Sequence, residues 1–270
     1  MPELPEVETT CRGIAPYVTH SKITQVITRQ PKLRWPIPKH LNKTLINQTI
    51  IQVSRRAKYI NLHFSCGTLI IHLGMSGRLS LVEQTHIAQK HDHFELHFSD
   101  KILRLTDPRR FGAVLWCASN TIHPLLNSLG PEPLSSAFSS QYFHPILLSK
   151  KSTVKSVLLD QKWVVGIGNI YASEALHISG ISPLRTAKSL SKEECKKLVQ
   201  ACKNILKKAI KAGGTTLKDF KKSDGKPGYF KQQLNVYGRA KAHCMSCQIG
   251  IIEMVKVNQR STFYCPSCQK

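Results

Sequence analysis

The apolar residues change their period along the chain. Over residues 3–17, Val7, Cys11 and Ile14 recur at helical spacing and predict an N-terminal helix. The following hundred residues alternate instead. Phe94, Leu96 and Phe98 interleave with charged residues or histidine, as do Leu103 and Leu105. Strand-like segments fall at 22–30, 49–64, 67–73, 93–98, 101–106 and 112–117. Turn signals separate them at Cys66-Gly67, Ser99-Asp100 and Asp107-Pro108. Many short strands in one run predict a β-sandwich or barrel. Gly130-Pro131-Glu132-Pro133 and the serine-rich stretch 135–140 mark a boundary.

Beyond that boundary the pattern turns helical. Helices are predicted over 152–160, 169–178 and 192–212. The last is the clearest: Ser191 and Glu194 form a capping box, and Leu198, Val199, Cys202, Ile205, Leu206, Ala209 and Ile210 make an apolar stripe that ends at Gly213. Most of its lysines lie off that stripe, as on a solvated face. Residues 213–230 read as a Gly- and Lys-rich loop and 243–268 as a β-hairpin. The fold class is therefore α+β: an N-terminal helix and β-sandwich domain (1–130), a linker (131–150), a helical domain (151–240) and a cysteine-bearing hairpin (241–270).

Charge narrows the partner. The chain of 270 residues carries 39 Lys+Arg against 16 Asp+Glu, a formal +23. Residues 1–150 contribute +8 and residues 151–270 contribute +15, so both halves are basic. Such a surplus points to a polyanion, nucleic acid before a membrane surface, and to strongly salt-dependent binding. No apolar run approaches the ~20 residues that span a bilayer. The acidic start MPELPEVETT lacks the features of a signal peptide. A soluble intracellular protein is expected.

Nine cysteines sort into two groups. Cys11, Cys66, Cys117, Cys195 and Cys202 are scattered among apolar neighbours and read as buried small hydrophobes. Cys244, Cys247, Cys265 and Cys268 form two C-x-x-C pairs with 17 residues between them. That is the spacing of a closed tetrahedral zinc site, so one structural Zn2+ is expected. At the other end, a small residue at position 2 favours removal of Met1. Pro2 would then offer a secondary amine with a pKa near 8, able to attack an electrophilic sugar carbon, with Glu3 and Glu6 beside it for proton transfer.

Motifs along the whole chain carry a resemblance. PELPEVETT (2–10), RRAKY (55–59), HLGMSG (72–77), KHDH (90–93), TDPRRFG (106–112), GIGNIYASE (166–174), GGTTLKDF (213–220), SDGKPGYF (223–230) and NVYGR (235–239) resemble, in order, the formamidopyrimidine-DNA glycosylases. The resemblance implies a bifunctional DNA glycosylase/AP lyase acting on oxidised purines and abasic sites in double-stranded DNA, as a cytoplasmic, nucleoid-associated monomer. It also implies a helix-two-turn-helix element within 151–240. In that family Pro2 is the nucleophile and Glu3 the acid/base. Lys58 and Arg260 complete the implied catalytic set. Met75, Arg109 and Phe111 fill the gap left by the flipped nucleotide. The other implied DNA contacts are His72, His91, Lys150, Lys155, Asn169 and Arg260, and the loop 213–230 closes over the flipped purine. Only the hairpin, one residue longer than usual, and Lys162-Trp163 and Cys11 depart locally from the family pattern.

Two rivals remain in the sequence. Endonuclease VIII, which removes oxidised pyrimidines, shares the N-terminal amine but typically begins PEGPE, and Leu4 stands where its glycine would. A non-catalytic zinc DNA-binding protein would not need Pro2, Glu3 and Lys58 together.

Overall fold

The computed structural model describes residues 1–214 and 233–270. The chain divides into two compact units. The first comprises residues 1–127 and, of the described residues, 212–214; the second comprises 128–211 and 233–270. The loop expected at 213–230 lies, beyond Gly214, outside the described residues.

The first unit opens with α1 (Leu4–Val18). Glu3 is its N-cap, and the backbone N–H of Glu3 donates to the Glu6 carboxylate at 2.8 Å, one arm of a capping box. Leu4, Val7, Cys11, Ile14 and Val18 form its buried stripe. Eight strands follow in two antiparallel four-stranded sheets. One has the order β1 (Gln25–Thr28), β6 (Asp92–His97), β7 (Lys101–Thr106), β5 (Arg78–Glu83). The other runs β2 (Gln52–Arg56), β3 (Tyr59–Phe64), β4 (Gly67–His72), β8 (Ala113–Ala118). Alternate residues point inward: Leu103 and Leu105 from one sheet meet Ile60, Leu62, Leu69 and Ile71 from the other, and α1 adds Val7 and Ile14 to the same core. A short helix, α2 (Leu41–Leu45), packs against β1.

The strand expected over 49–64 is two strands of a hairpin, because Ala57 adopts a positive φ of 54° and turns the chain just before Lys58. On the face of β6 and β7 turned away from that core, Glu95 is fully buried between Arg104, Arg29 and His97. Burial would raise its pKa, but these partners hold the carboxyl below the usual range.

After α3 (Pro124–Asn127), the second unit differs from expectation at its start. Residues 131–150, read as a linker, contain α4 (Ser140–Leu148), capped by the Ser139 hydroxyl and burying Phe143 and Leu147. Then come α5 (Val154–Leu159), α6 (Asn169–Ile178), a 3-10 turn (Ala187–Ser189) and α7 (Lys192–Lys211). The Ser191/Glu194 box at the start of α7 is present in both directions, at 2.8 and 3.2 Å. A two-stranded hairpin closes the chain: β9 (Glu253–Val257) and β10 (Arg260–Tyr264). No helix of the described residues is long and apolar enough to cross a membrane.

Candidate active site and nucleic-acid interface

In the first unit, Pro2, Glu3 and Glu6 are all buried at the start of α1. Gly214, at φ +80°, lies against Glu6: a Cβ there would stand 3.1 Å from the Glu6 carboxylate. Glu8, one turn along α1, accepts from Arg12 and, at 2.9 Å, from Arg55 of β2. Arg55 also donates to the Ala57 carbonyl at 3.0 Å. Burial alone would raise the Glu8 carboxyl, but the two guanidiniums hold it below the usual range. The ion pair thus ties the helix that presents Pro2 to the turn that presents Lys58, whose side chain is largely buried.

His72 ends β4 directly opposite Tyr59. Its Nδ1 accepts the Gly74 N–H at 3.0 Å, so the neutral ring carries its proton on Nε2. Burial, reinforced by the Lys58 and Arg34 cations, pushes its pKa down to about 4. The chain then turns through Gly74 and exposes Met75. Arg109 and Phe111 project from a second turn, with the guanidinium 5.0 Å from the Phe111 ring centroid. Met75 is 41% and Phe111 44% exposed, so both side chains stand clear of the core. His91 lies beside them, edge-on to His93. Ser76, Arg78, Lys90, His91 and Arg109 line one shallow cationic cavity of about 480 Å³.

In the second unit, the four cysteine sulfurs all lie within 4.8 Å of one another. Cys244 and Cys268 are 3.7 Å apart, and Cys247 and Cys265 3.8 Å. Four thiolates at ~2.3 Å from one tetrahedral zinc would be separated by ~3.8 Å, so the donor set fits the ion. Gly250 completes the fit: a Cβ there would meet the Cys265 sulfur at 2.6 Å. His177 of α6 anchors the site from outside, bonding Ser246 and Gln269, and Gln269 in turn accepts the Cys265 N–H at 2.9 Å.

Arg260 begins β10 and is exposed. Its neighbours are pinned: the Asn169 amide donates to the Ser261 carbonyl at 2.7 Å, while its own Oδ1 is buried with no hydrogen-bond partner among the described residues. Asn169 is the first residue of α6, and Gly168 is the N-cap. The Lys150 ammonium sits 4.3 Å from the Trp163 ring centroid. Lys155, expected as a DNA contact, lies inside the second unit. It is fully buried, and its ammonium donates to Thr262 Oγ1 at 2.7 Å. It packs in the buried stripe of α5 with Val154, Val157 and Leu158, so its ammonium ties α5 to the strand that begins at Arg260.

Sequence reasoning missed two buried carboxylates that hold backbone in place. Glu174, in the middle of α6, accepts from the backbone N–H groups of Asn235, Val236 and Tyr237. Asp107 binds both turns of the exposed apolar pair. Each stands inside a motif already noticed, and a charged residue flanked by apolar or turn positions was the available signal.

Fold and site together define a class: an enzyme with a buried N-terminal acid cluster and a four-thiolate zinc hairpin, built on a strongly cationic surface. Residues 1–114 match the formamidopyrimidine-DNA glycosylase N-terminal domain, 129–221 the H2TH domain of the same enzymes, and 250–270 the zinc finger found in FPG and IleRS. The formamidopyrimidine-DNA glycosylase of Vibrio cholerae is 52% identical over 270 residues, covering both chains completely. That of Proteus mirabilis is 51% identical, covering all of this chain and 98% of its own. A complex of Lactococcus lactis Fpg with abasic-site DNA superposes with a TM-score of 0.93 at 33% identity over 99% of each chain. The chain belongs to the formamidopyrimidine-DNA glycosylase family, DNA glycosylases of base excision repair that act on oxidised purines and carry AP lyase activity.

Proposed function

We propose that this chain excises oxidised purines from duplex DNA through the Pro2 amine and then cleaves the strand at the resulting site. The observation that carries the reading is the start of α1. There a buried glutamate pair, locked by its capping bond, flanks the residue whose nitrogen is freed when Met1 is removed.

The neutral amine attacks C1′ of the flipped nucleotide, and the C1′–N bond electrons leave with the base, which takes up a proton. Glu3 is the group for that proton traffic. The nitrogen sheds its proton, the sugar C1′–O4′ bond opens with O4′ taking up a proton, and the iminium so formed acidifies the C2′ hydrogens. Loss of one expels the 3′ phosphate by β-elimination, and a second elimination expels the 5′ phosphate. Lys58 stands for the phosphodiester and the nucleophile's surroundings. His72 offers a neutral Nε2–H donor, and His91, Lys150, Asn169 and Arg260 contact the backbone. Zinc holds the hairpin that carries Arg260 and supplies no step of the reaction. The protein works in the cytoplasm, at the nucleoid.

Borohydride trapping tests the whole scheme. Duplexes containing 8-oxoguanine, an oxidised pyrimidine or an abasic site are incubated with the pure protein. The 8-oxoguanine and abasic duplexes should give a covalent adduct, and Pro2→Gly should abolish it. No adduct with either would overturn the enzyme reading. Base release from the pyrimidine duplex alone would favour endonuclease VIII chemistry. Full-rate trapping by Pro2→Gly would displace Pro2 as nucleophile.

A further inference from the structure

We infer that Asp107 is the positioning residue that makes the Met75 turn and the Arg109–Phe111 turn into one rigid wedge. Its carboxylate spans the two. Oδ1 accepts the Ser76 hydroxyl at 3.0 Å, and Oδ2 accepts the Gly112 N–H at 2.7 Å. Ser76 is the residue after Met75, and Gly112 the residue after Phe111. The Ser76 oxygen also accepts the Arg109 N–H at 3.3 Å, which brings the third projecting residue into the same network.

The backbone of Asp107 extends the arrangement to the His91 segment. Its N–H donates to the His91 carbonyl at 2.9 Å, and its own carbonyl accepts from His93 Nε2 at 2.9 Å and from the Arg110 N–H at 3.2 Å. One residue therefore indexes three segments that carry proposed DNA contacts. The turns also touch directly. A Cβ on Gly74 would lie 2.4 to 2.6 Å from Phe111 and Gly112 backbone atoms, and one on Gly112 would lie 2.8 Å from the His72 carbonyl.

Asp107 is completely buried, and its carboxylate is held by hydrogen bonds from Ser76 and Gly112. Burying a carboxylate is costly, and here the cost is offset by these two hydrogen bonds, which an apolar side chain would leave unmade. What the carboxylate supplies is aim. Met75 and Phe111 are exposed apolar side chains on turns, and a wedge that yields when the flipped base pulls back toward the stack does not hold the gap open. A catalytic or binding group displaced by ~1 Å loses about a hundredfold in rate. Preorganisation by a hydrogen-bonded support keeps the wedge from yielding.

The inference rests on the proposed excision from duplex DNA, and the experiment separates the two. The readout is the ratio of 8-oxoguanine excision from duplex to strand cleavage on single-stranded abasic DNA, where there is no stack to hold open. Asp107→Ala should lower that ratio by about ten- to a hundredfold, and Ser76→Ala should lower it in the same direction by less. Asp107→Asn should recover most of the loss, since a flipped amide can still accept from Gly112 and donate to Ser76. Should Asp107→Ala fail to fold on thermal melting, Ser76→Ala decides the matter. An unchanged ratio in both variants, or equal loss of both activities, overturns the inference. Met75→Ala and Phe111→Ala serve as reference. If they lower the ratio and the Asp107 and Ser76 variants do not, only the inference fails. If they too leave it unchanged, the wedge reading itself fails.

Discussion

At the scale of the residue, the most informative group is His72. Its ring is kept neutral by burial and by the nearby Lys58 and Arg34 cations, so it can offer a hydrogen bond to an anion without carrying charge. The cost appears in stability against pH. In the unfolded chain the ring titrates near its ordinary 6.5, in the folded chain near about 4. On acidification the unfolded state takes up the proton first, so stability falls as pH drops from 6.5 toward 4. Glu8 and Glu95, whose pKa values are lowered, act at lower pH: their contribution is present above the ordinary 4.5 and lost below it. His72→Gln keeps a side-chain donor and cannot titrate. Urea midpoints measured at about pH 7.5 and 5 should therefore differ less for this variant than for the parent. Equal differences in the two proteins would mean that the ring titrates normally.

At the scale of the element, the zinc hairpin is the least self-sufficient piece. Two five-residue strands and a tight knuckle bury too little to fold alone, so metal binding and hairpin folding are one process. Cys265→Ser should lose the metal and most DNA affinity, measured by metal analysis and by binding to an abasic duplex. Gly250→Ala should sit between this variant and the parent, because its methyl must displace the Cys265 sulfur. Unchanged DNA binding without zinc would refute the structural role. The hairpin and α7 are both readable in the sequence, since C-x-x-C spacing and a long amphipathic stripe with a capping box are local signals. Strand β5, helix α4 and the short helices α2 and α3 are not. Strand β5 follows a Gly-Met-Ser-Gly turn, and only Leu79 among its residues is fully buried, so its alternation is faint. Helix α4 contains Pro145 and begins in serines, which read as loop. Ser139 is in fact its N-cap, and Pro145 falls at its sixth residue without ending it.

At the scale of the whole molecule, the candidate chemistry was legible because motifs name residue types, while the support for that chemistry was not. Lys155 read as a DNA contact and is buried; Asp107 read as part of a turn signal and bridges two turns. Both depend on partners far away in sequence, Thr262 for the lysine and Ser76 for the aspartate, which no local pattern reports. The cysteines carry a further consequence at this scale. Burial pushes the Cys11 and Cys202 thiols up to about 12 and Cys195 up to about 11, which leaves almost no thiolate at neutral pH to react with an oxidant. The tetrad must be thiolate to hold zinc, and Cys247 and Cys268 are only partly covered. Peroxide should thus release zinc before it modifies any of these three buried cysteines, a sequence that a chromogenic zinc reporter and peptide mass analysis can follow. A protein that mends oxidised DNA would then be disarmed by oxidant at its DNA grip while its core survives. Rebinding of zinc after thiol reduction would restore it without refolding the rest.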